Sequence, residues 1–141
     1  MINVWGKIKE IINRPYIVES GSNENGYYIK WSNGDLICRR TVSNEPFKSS
    51  TALSTTVQNL KVYRSNVFTW TYPIAFATIP NISVTVSTGL NGSRFCSGRT
   101  NGGPTASNVQ IQLLALEDFS ESGLGYTNLV RTDLIAIGKW K

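Results

Sequence analysis

The sequence contains no histidine, and this absence narrows the possible chemistry more than any other feature of its composition. Histidine is the commonest general base and a frequent metal ligand, and it activates the nucleophile of many serine and cysteine hydrolases. Phosphate-binding loops, dinucleotide-binding glycine motifs, EF-hand loops and zinc-ligand spacings are also missing. We therefore expect a protein that is not an enzyme and that uses neither a cofactor nor a metal.

Carboxylates leave one route to catalysis, because glycoside hydrolysis requires two acids that flank the scissile bond. The adjacent acids Glu117 and Asp118 are the obvious candidates. Neighbouring residues on a strand point to opposite faces of a sheet, so these two cannot form such a pair by themselves. We interpret them as a solvated strand end.

Cysteines and long apolar runs are also scarce. The two cysteines, Cys38 and Cys96, lie in or beside apolar stretches and form no CxxC motif, which predicts buried free thiols. No window approaches the roughly 18 consecutive apolar residues of a membrane span. The start, MINVWGKIKEIINRP, lacks the uninterrupted apolar core of a signal peptide. We expect no membrane insertion and no export by a signal of its own.

Charge of one sign is nowhere concentrated, although the chain is basic overall. Fourteen Lys and Arg residues stand against nine Asp and Glu, a net charge of +5, and no block of like charges occurs. Nucleic acid is therefore not an expected partner. A mildly basic surface favours anionic glycans or phosphate-bearing polymers equally well, because charge steering does not distinguish between polyanions.

What the chain does contain is a long series of strand-like segments. From Gly26 onward the apolar runs are rich in Val, Ile, Thr, Tyr and Phe and are separated by Gly, Asn, Ser and Pro. The segments NISVTVS (81–87) and NVQIQLLAL (108–116) alternate apolar and polar residues. The run LIAI (134–137) does not alternate, which indicates burial on both faces and a second copy of the chain as the cover. We predict an all-β, antiparallel β-sandwich.

The N-terminal segment shows the apolar spacing of a helix instead of the alternation of a strand. Residues 2–13 read as a short helix, with Met1, Trp5, Ile8 and Ile12 at spacings of four, three and four. Two interpretations stay open: an amphipathic helix packed on its own domain, or the end of a coiled stalk that joins several chains. We assign residues 1–17 to this helix and its linker, and residues 18–141 to a β-sandwich head domain.

A hairpin signal lies at NGYYIKWSNGDLICRRTV (25–42), where Asn33-Gly34 predicts a two-residue type I′ turn. This turn would place Trp31 opposite Leu36 and Ile29 opposite Cys38 on one face, and Lys30 opposite Ile37 and Tyr28 opposite Arg39 on the other. Cross-strand packing alone explains such residues. Tyr28, Arg39 and Arg40 are nevertheless placed to reach a neighbour or a ligand.

Two long irregular segments, 87–108 and 117–128, are the expected recognition loops. Arginine offers forked donors for carboxylate, phosphate or vicinal hydroxyls, asparagine offers both donor and acceptor, and tyrosine offers a flat face for a sugar ring. Each residue has the plainer interpretation of a solvated loop side chain. The predicted ligand-binding residues are Arg94, Arg99, Asn101 and Tyr126.

Three segments together resemble the C-terminal head domain of bacteriophage and prophage tail fibres: VESGSNENGYYIKWSNGDLICRRTV (18–42), VYRSNVFTWTYPIAFATIPNISVTV (62–86) and LIAIGKWK (134–141). They span nearly all of the chain beyond the first helix. The stretch around WTYPIAF and IPNISV is also similar to the H-type lectins, which are small antiparallel sandwiches that form trimers and bind sugars. The resemblance implies that the hairpin is framework, with Trp31, Leu36 and Cys38 in the core. The two loops match no motif of these families, and no sugar-contacting residue is carried over.

The resemblance implies a homotrimeric, non-catalytic receptor-binding tip that recognises a host cell-surface polysaccharide, joined to the remainder of a tail fibre or baseplate. It implies a location in the virion, after folding in the cytoplasm of the bacterial host. The alternative is a purely structural tip that serves trimerisation and assembly. A third possibility, an enzyme that cleaves the host polymer, is disfavoured by the missing histidine and the unpaired acids.

Overall fold

The computed structural model describes residues 3–43, 45–47, 50–57, 60–88, 95–116 and 129–141. In chain order the elements are α1 (Val4–Ile12), β1 (Ile17–Asn23), β2 (Gly26–Trp31), β3 (Asp35–Val42), β4 (Ser50–Val57), β5 (Leu60–Ser65), β6 (Phe68–Thr71), β7 (Asn81–Thr88), β8 (Cys96–Thr100), β9 (Asn108–Ala115) and β10 (Leu129–Lys139).

The strands form two antiparallel sheets, which confirms the predicted all-β sandwich. Sheet one has the order β1-β2-β3-β10-β7. Sheet two has the order β4-β5-β9-β6, with β8 paired to β9. The core lies between the sheets, and its largest fully buried side chains include Trp70, Phe47, Leu36, Ile111, Leu113 and Leu134.

The sheets approach each other closely where β8 crosses β7. A Cβ atom at Gly98 would lie 2.1 Å from Cγ1 of Val84, so no larger residue fits there unless the neighbouring atoms shift. The segment 87–108 is therefore less irregular than its composition predicts, because β8 lies within it. Segment 117–128 lies outside the described residues.

Helix α1 forms where the apolar period predicts it, and its side chains are largely exposed. Asn3 caps it through its side chain, whose Oδ1 accepts a hydrogen bond from the Gly6 amide at 2.9 Å. None of its residues is buried, and Trp5 is 76% exposed. The described residues therefore leave the apolar side of this helix largely exposed, and both interpretations of it stay predictions.

The hairpin between β2 and β3 forms, but its turn is one residue longer than predicted. Lys30 pairs with Leu36 and Tyr28 with Cys38, which leaves a three-residue loop. Gly34 has φ +90°, and its amide donates to the Trp31 carbonyl at 3.0 Å, the pattern of a type I turn followed by a left-handed residue. The prediction of a two-residue type I′ turn was wrong.

This one-residue difference exchanges the faces of β2. Tyr28 and Lys30 point inward, on the same face as Leu36 and Cys38, whereas Trp31 lies on the outer face. Leu36 and Cys38 are core residues as predicted. The expectation that Trp31 joins them was wrong, because the extra loop residue inverts the alternation of β2 relative to β3.

Strand β10 buries one face of its apolar run and leaves the other face open. Leu134 and Ala136 are buried between the sheets, while Ile137 is 48% exposed on the outer face. Within one chain, the predicted burial on both faces therefore holds for the inner face only.

Both cysteines are free thiols. Cys38 is buried and Cys96 is half-buried, and burial raises the pKa of each thiol to about 12.

Candidate functional site

The predicted loop residues fall into two groups. Arg99 lies on β8, and its Nη2 donates to Oε1 of Gln112 at 2.7 Å. Asn101 follows β8; its amide donates to the Gln110 carbonyl at 2.8 Å, and its Nδ2 donates to Oε1 of Gln110 at 3.3 Å. The structure thus places both on one edge of sheet two, each hydrogen-bonded to β9.

The other two predicted ligand residues, Arg94 and Tyr126, lie outside the described residues. Recognition by the loop residues therefore stays a prediction.

A cleft of about 530 Å³ opens elsewhere, along sheet one. This volume falls within the range of small-molecule binding sites. We call it the β2–β10 cleft, and its lining residues are Asn23, Glu24, Gly26, Tyr27, Arg39, Arg40, Thr41, Asp133, Leu134 and Ile135.

Strand register assembles the floor of the cleft on the outer face of sheet one. Arg39 pairs with Tyr27 on one side and with Ile135 on the other, so these three side chains lie side by side across three strands. Thr41 pairs with Asp133 in the next register position on the same face. Tyr27 is 42% exposed and offers an accessible aromatic surface.

The turn between β1 and β2 forms one side of the cleft, and sheet two holds it in place. The indole Nε1 of Trp70 donates to the Asn25 carbonyl at 2.9 Å. Asn23 uses Nδ2 to reach the Pro73 carbonyl at 2.9 Å and Oδ1 to accept from the Asn25 amide at 2.9 Å. Because Trp70 is fully buried, the turn is anchored to the core.

Gly26 brings the chain from this turn into β2 at a point where no side chain fits. Its φ is +126°, a conformation that L side chains rarely adopt. A Cβ atom at this position would lie 2.2 Å from the carbonyl oxygen of Arg39. This glycine therefore sets the close approach of β2 to β3 beside Tyr27.

The charged side chains of the cleft differ in whether they already have a partner within the protein. Asp133 accepts from the Thr41 hydroxyl at 2.7 Å through Oδ1, and its Oδ2 lies 3.0 Å from Nε of Arg131. The Arg40 guanidinium lies 5.2 Å from the centre of the Phe68 ring, towards sheet two. Arg39 is exposed, and among the described residues no carboxylate lies within 4.0 Å of it.

Tyr28 and Arg39 do not share a face, in contrast to the prediction from the two-residue turn. The Tyr28 hydroxyl donates to Oε1 of Glu19 at 2.6 Å, and Lys30 Nζ lies 2.7 Å from Oε2 of the same residue. These bonds lower the pKa of Glu19 and raise the pKa of Tyr28. Tyr27 is the tyrosine beside Arg39, and the alternation of β2 would have identified it had the loop length been known.

An apolar row adjoins the cleft on the same face of sheet one. Ile29 pairs with Ile37, and Ile37 pairs with Ile137, so the three side chains form a continuous band across β2, β3 and β10. The next pair towards the helix is Ile17 with Trp31. Along the strands, the apolar row lies between the cleft and the Ile17–Trp31 pair, where the chain enters β1.

Comparison with protein-family models, curated proteins and solved structures finds no match to this chain. In the part of the chain that the structure describes, no helix has the length and apolar character needed to cross a membrane. The described residues also contain no group of three or more Cys, Asp or Glu side chains that could hold a metal ion.

Proposed function

We propose that this chain is the receptor-binding tip of a phage or prophage tail fibre, which recognises a host cell-surface polysaccharide without cleaving it. The observation that best supports this proposal is the β2–β10 cleft, where the exposed ring of Tyr27 lies beside Arg39 in a space large enough for a short saccharide. The resemblance of the three sequence segments to tail-fibre heads supports it independently.

The chemistry of the cleft suits a sugar better than an apolar ligand. A sugar ring presents apolar C–H groups on its faces and hydroxyls around its edge, so it requires an aromatic platform with polar groups beside it. Tyr27 supplies the platform and Arg39 supplies donors, while Asn23 holds the neighbouring turn in place through its own hydrogen bonds. Glu24 and Thr41 add acceptors and a hydroxyl at the margin.

Three copies of the chain would assemble through the surfaces that one copy leaves uncovered. The apolar side of α1 is exposed, and so is Ile137 in the apolar row on sheet one. Helices with such spacing associate along their apolar seams. The trimer would then be joined at the helix end of the sandwich, with three clefts towards the opposite end, which gives avidity from three weak sites.

The proposed setting is the virion, with the remainder of the tail fibre or the baseplate as the partner at the helix end. Folding would take place in the cytoplasm of the bacterial host. The two free thiols are compatible with a reducing compartment.

The second candidate is a purely structural tip that only holds three chains together. The apolar row, in which Ile137 is 48% exposed, and the largely exposed helix favour it, because both surfaces serve assembly without any ligand. It differs from the first candidate in one measurable respect: it binds neither host cells nor glycans.

Cell binding by a Tyr27→Ala variant tests the proposed function. We expect its affinity for host cells, or for a glycan identified on an array, to fall about tenfold per site, because the aromatic platform is lost. Tyr27→Phe should retain most of the binding. Tyr16→Ala is the matched control, since Tyr16 is 63% exposed on the linker after α1 and lies outside the cleft.

Three other outcomes would each have a defined meaning. A trimer that binds no cell and no glycan would support the structural tip. Normal binding by Tyr27→Ala, together with loss of binding by a folded Arg94→Ala, Arg99→Ala and Tyr126→Ala triple variant, would place the site in the loops. A loss of polymer viscosity on incubation with the protein would support the third possibility, an enzyme that cleaves the host polymer.

A further inference from the structure

We infer that the ligand of the β2–β10 cleft is a saccharide that carries a carboxylate, which the guanidinium of Arg39 binds. This inference rests on the proposed function, because it specifies the chemical class of the glycan for the same site. It depends on how the charges of the cleft are distributed, and not on the net charge of the chain.

Arg39 is the cleft cation that has no carboxylate partner among the described residues. It lies on the outer face between Tyr27 and Ile135, and no carboxylate among the described residues lies within 4.0 Å of it. Arg40, the next residue, directs its guanidinium towards Phe68 on the other side of the sheet. A planar guanidinium presents two parallel N–H groups, a geometry that matches the two oxygens of a carboxylate.

Asp133 does not compete for Arg39, although it lies on the same face of the sheet. Both of its oxygens are engaged, one by the Thr41 hydroxyl and the other by Arg131. Its negative charge is thereby offset by a cation outside the cleft lining. On the sheet side of the cleft, the described residues therefore present Arg39 without a paired carboxylate.

Glu24 is the remaining acid of the cleft, and it gives the inference a second, opposite test. It is exposed on the turn between β1 and β2, and its carboxylate lies more than 4.0 Å from the nitrogens of Arg39. A carboxylate there repels an anionic ligand and has no such effect on a neutral one. Neutralising Glu24 should therefore strengthen the binding of an acidic saccharide.

Matched pairs of saccharides that differ in one carboxylate provide the probes. Suitable pairs are sialyllactose with its carboxyl-reduced derivative, and methyl galacturonoside with methyl galactoside, its carboxyl-reduced counterpart. Binding to the full chain is measured for the wild type and for Arg39→Gln, Arg39→Lys and Glu24→Gln. Arg64→Gln is the matched control, because it removes the same charge from an exposed position on β5 in sheet two.

The expected result is selective binding of an acidic member of a pair, at least about tenfold tighter than its neutral partner. Arg39→Gln should abolish this preference, Arg39→Lys should keep part of it, and Arg64→Gln should leave it unchanged. Glu24→Gln should tighten acidic binding about two- to threefold, and added salt should weaken it. Melting temperatures close to the wild type would show that the variants are folded.

Two results would overturn the inference, and they are distinguishable from each other. Equal binding of neutral and acidic members, with no effect of Arg39→Gln, would refute the carboxylate while leaving glycan recognition intact. Failure of every pair to bind would refute the inference and would also remove support from the proposed function.

Discussion

Gly26 is the residue on which the geometry of the cleft depends most directly. Its positive φ turns the chain out of the β1–β2 turn, and its missing side chain lets β2 approach the Arg39 carbonyl. Tyr27 and Arg39 then face outward side by side. A residue with no functional group of its own thus sets the positions of the two that we expect to contact the ligand.

A Gly26→Ala substitution should destabilise the protein strongly, because backbone strain and a clash with backbone add together. We expect the free energy of unfolding to fall by at least about 3 kcal/mol in urea denaturation. Gly102→Ala is the matched control: Gly102 also has a positive φ, +95°, but nothing lies within 4 Å of its added Cβ. It should cost about 1 kcal/mol. Equal losses in the two variants would show that the close approach to Arg39 carries no energetic weight.

Individual core positions were predictable where the alternation of a single strand decided them. Leu36 and Cys38 were expected in the core and lie there. Trp31 was misplaced because the relative phase of two paired strands depends on loop length, and both two- and three-residue loops accept an Asn-Gly sequence. Tyr27 was missed for the same reason, since the incorrect phase placed Tyr28 beside Arg39.

At the scale of elements, the β1–β2 turn is held by a contact from the opposite sheet. Trp70 of β6 crosses the core and donates to the Asn25 carbonyl, while its ring packs edge-on against Tyr72 with centroids 5.1 Å apart. Burial of this indole therefore fixes a surface feature, the side of the cleft.

Trp70→Phe should loosen that turn. The variant leaves the Asn25 carbonyl without its donor and creates a small cavity, so we expect a loss of about 2 to 3 kcal/mol in the free energy of unfolding. Tyr72→Phe is the contrasting variant on the next inward position, because its buried hydroxyl has no hydrogen-bond partner among the described residues. That change should be neutral or slightly stabilising. A Trp70→Phe protein as stable as Tyr72→Phe would contradict the proposed anchoring.

Helices and strands with a clear apolar period were predictable from the sequence. Elements that form only through strand pairing were not. The helix at 4–12 and the strands around 81–87 and 108–116 follow their apolar spacing. Strand β8 carries the sequence CSGRT, which has little strand propensity, and it forms through its pairing with β9 and its packing on Val84. The β2–β10 cleft depends on the register of three strands, which no local pattern encodes.

At the scale of the whole molecule, the uncovered apolar surfaces and the cleft occupy successive positions along sheet one. The chain enters β1 from α1 at Ile17, the apolar row follows along the strands, and the cleft lies beyond it. This order suits a fibre tip, in which one end joins the copies and the other end meets the host. We therefore propose that the chain works as one of three copies.

The solution mass measured by light scattering tests that claim most directly. We predict three times 15.6 kDa at micromolar concentration, and a lower mass for Ile137→Glu, which places a charge in the apolar row. Ile79→Glu is the matched control, because Ile79 is 67% exposed and lies outside that row, so its mass should equal that of the wild type. A wild-type chain that remains at 15.6 kDa would contradict the account.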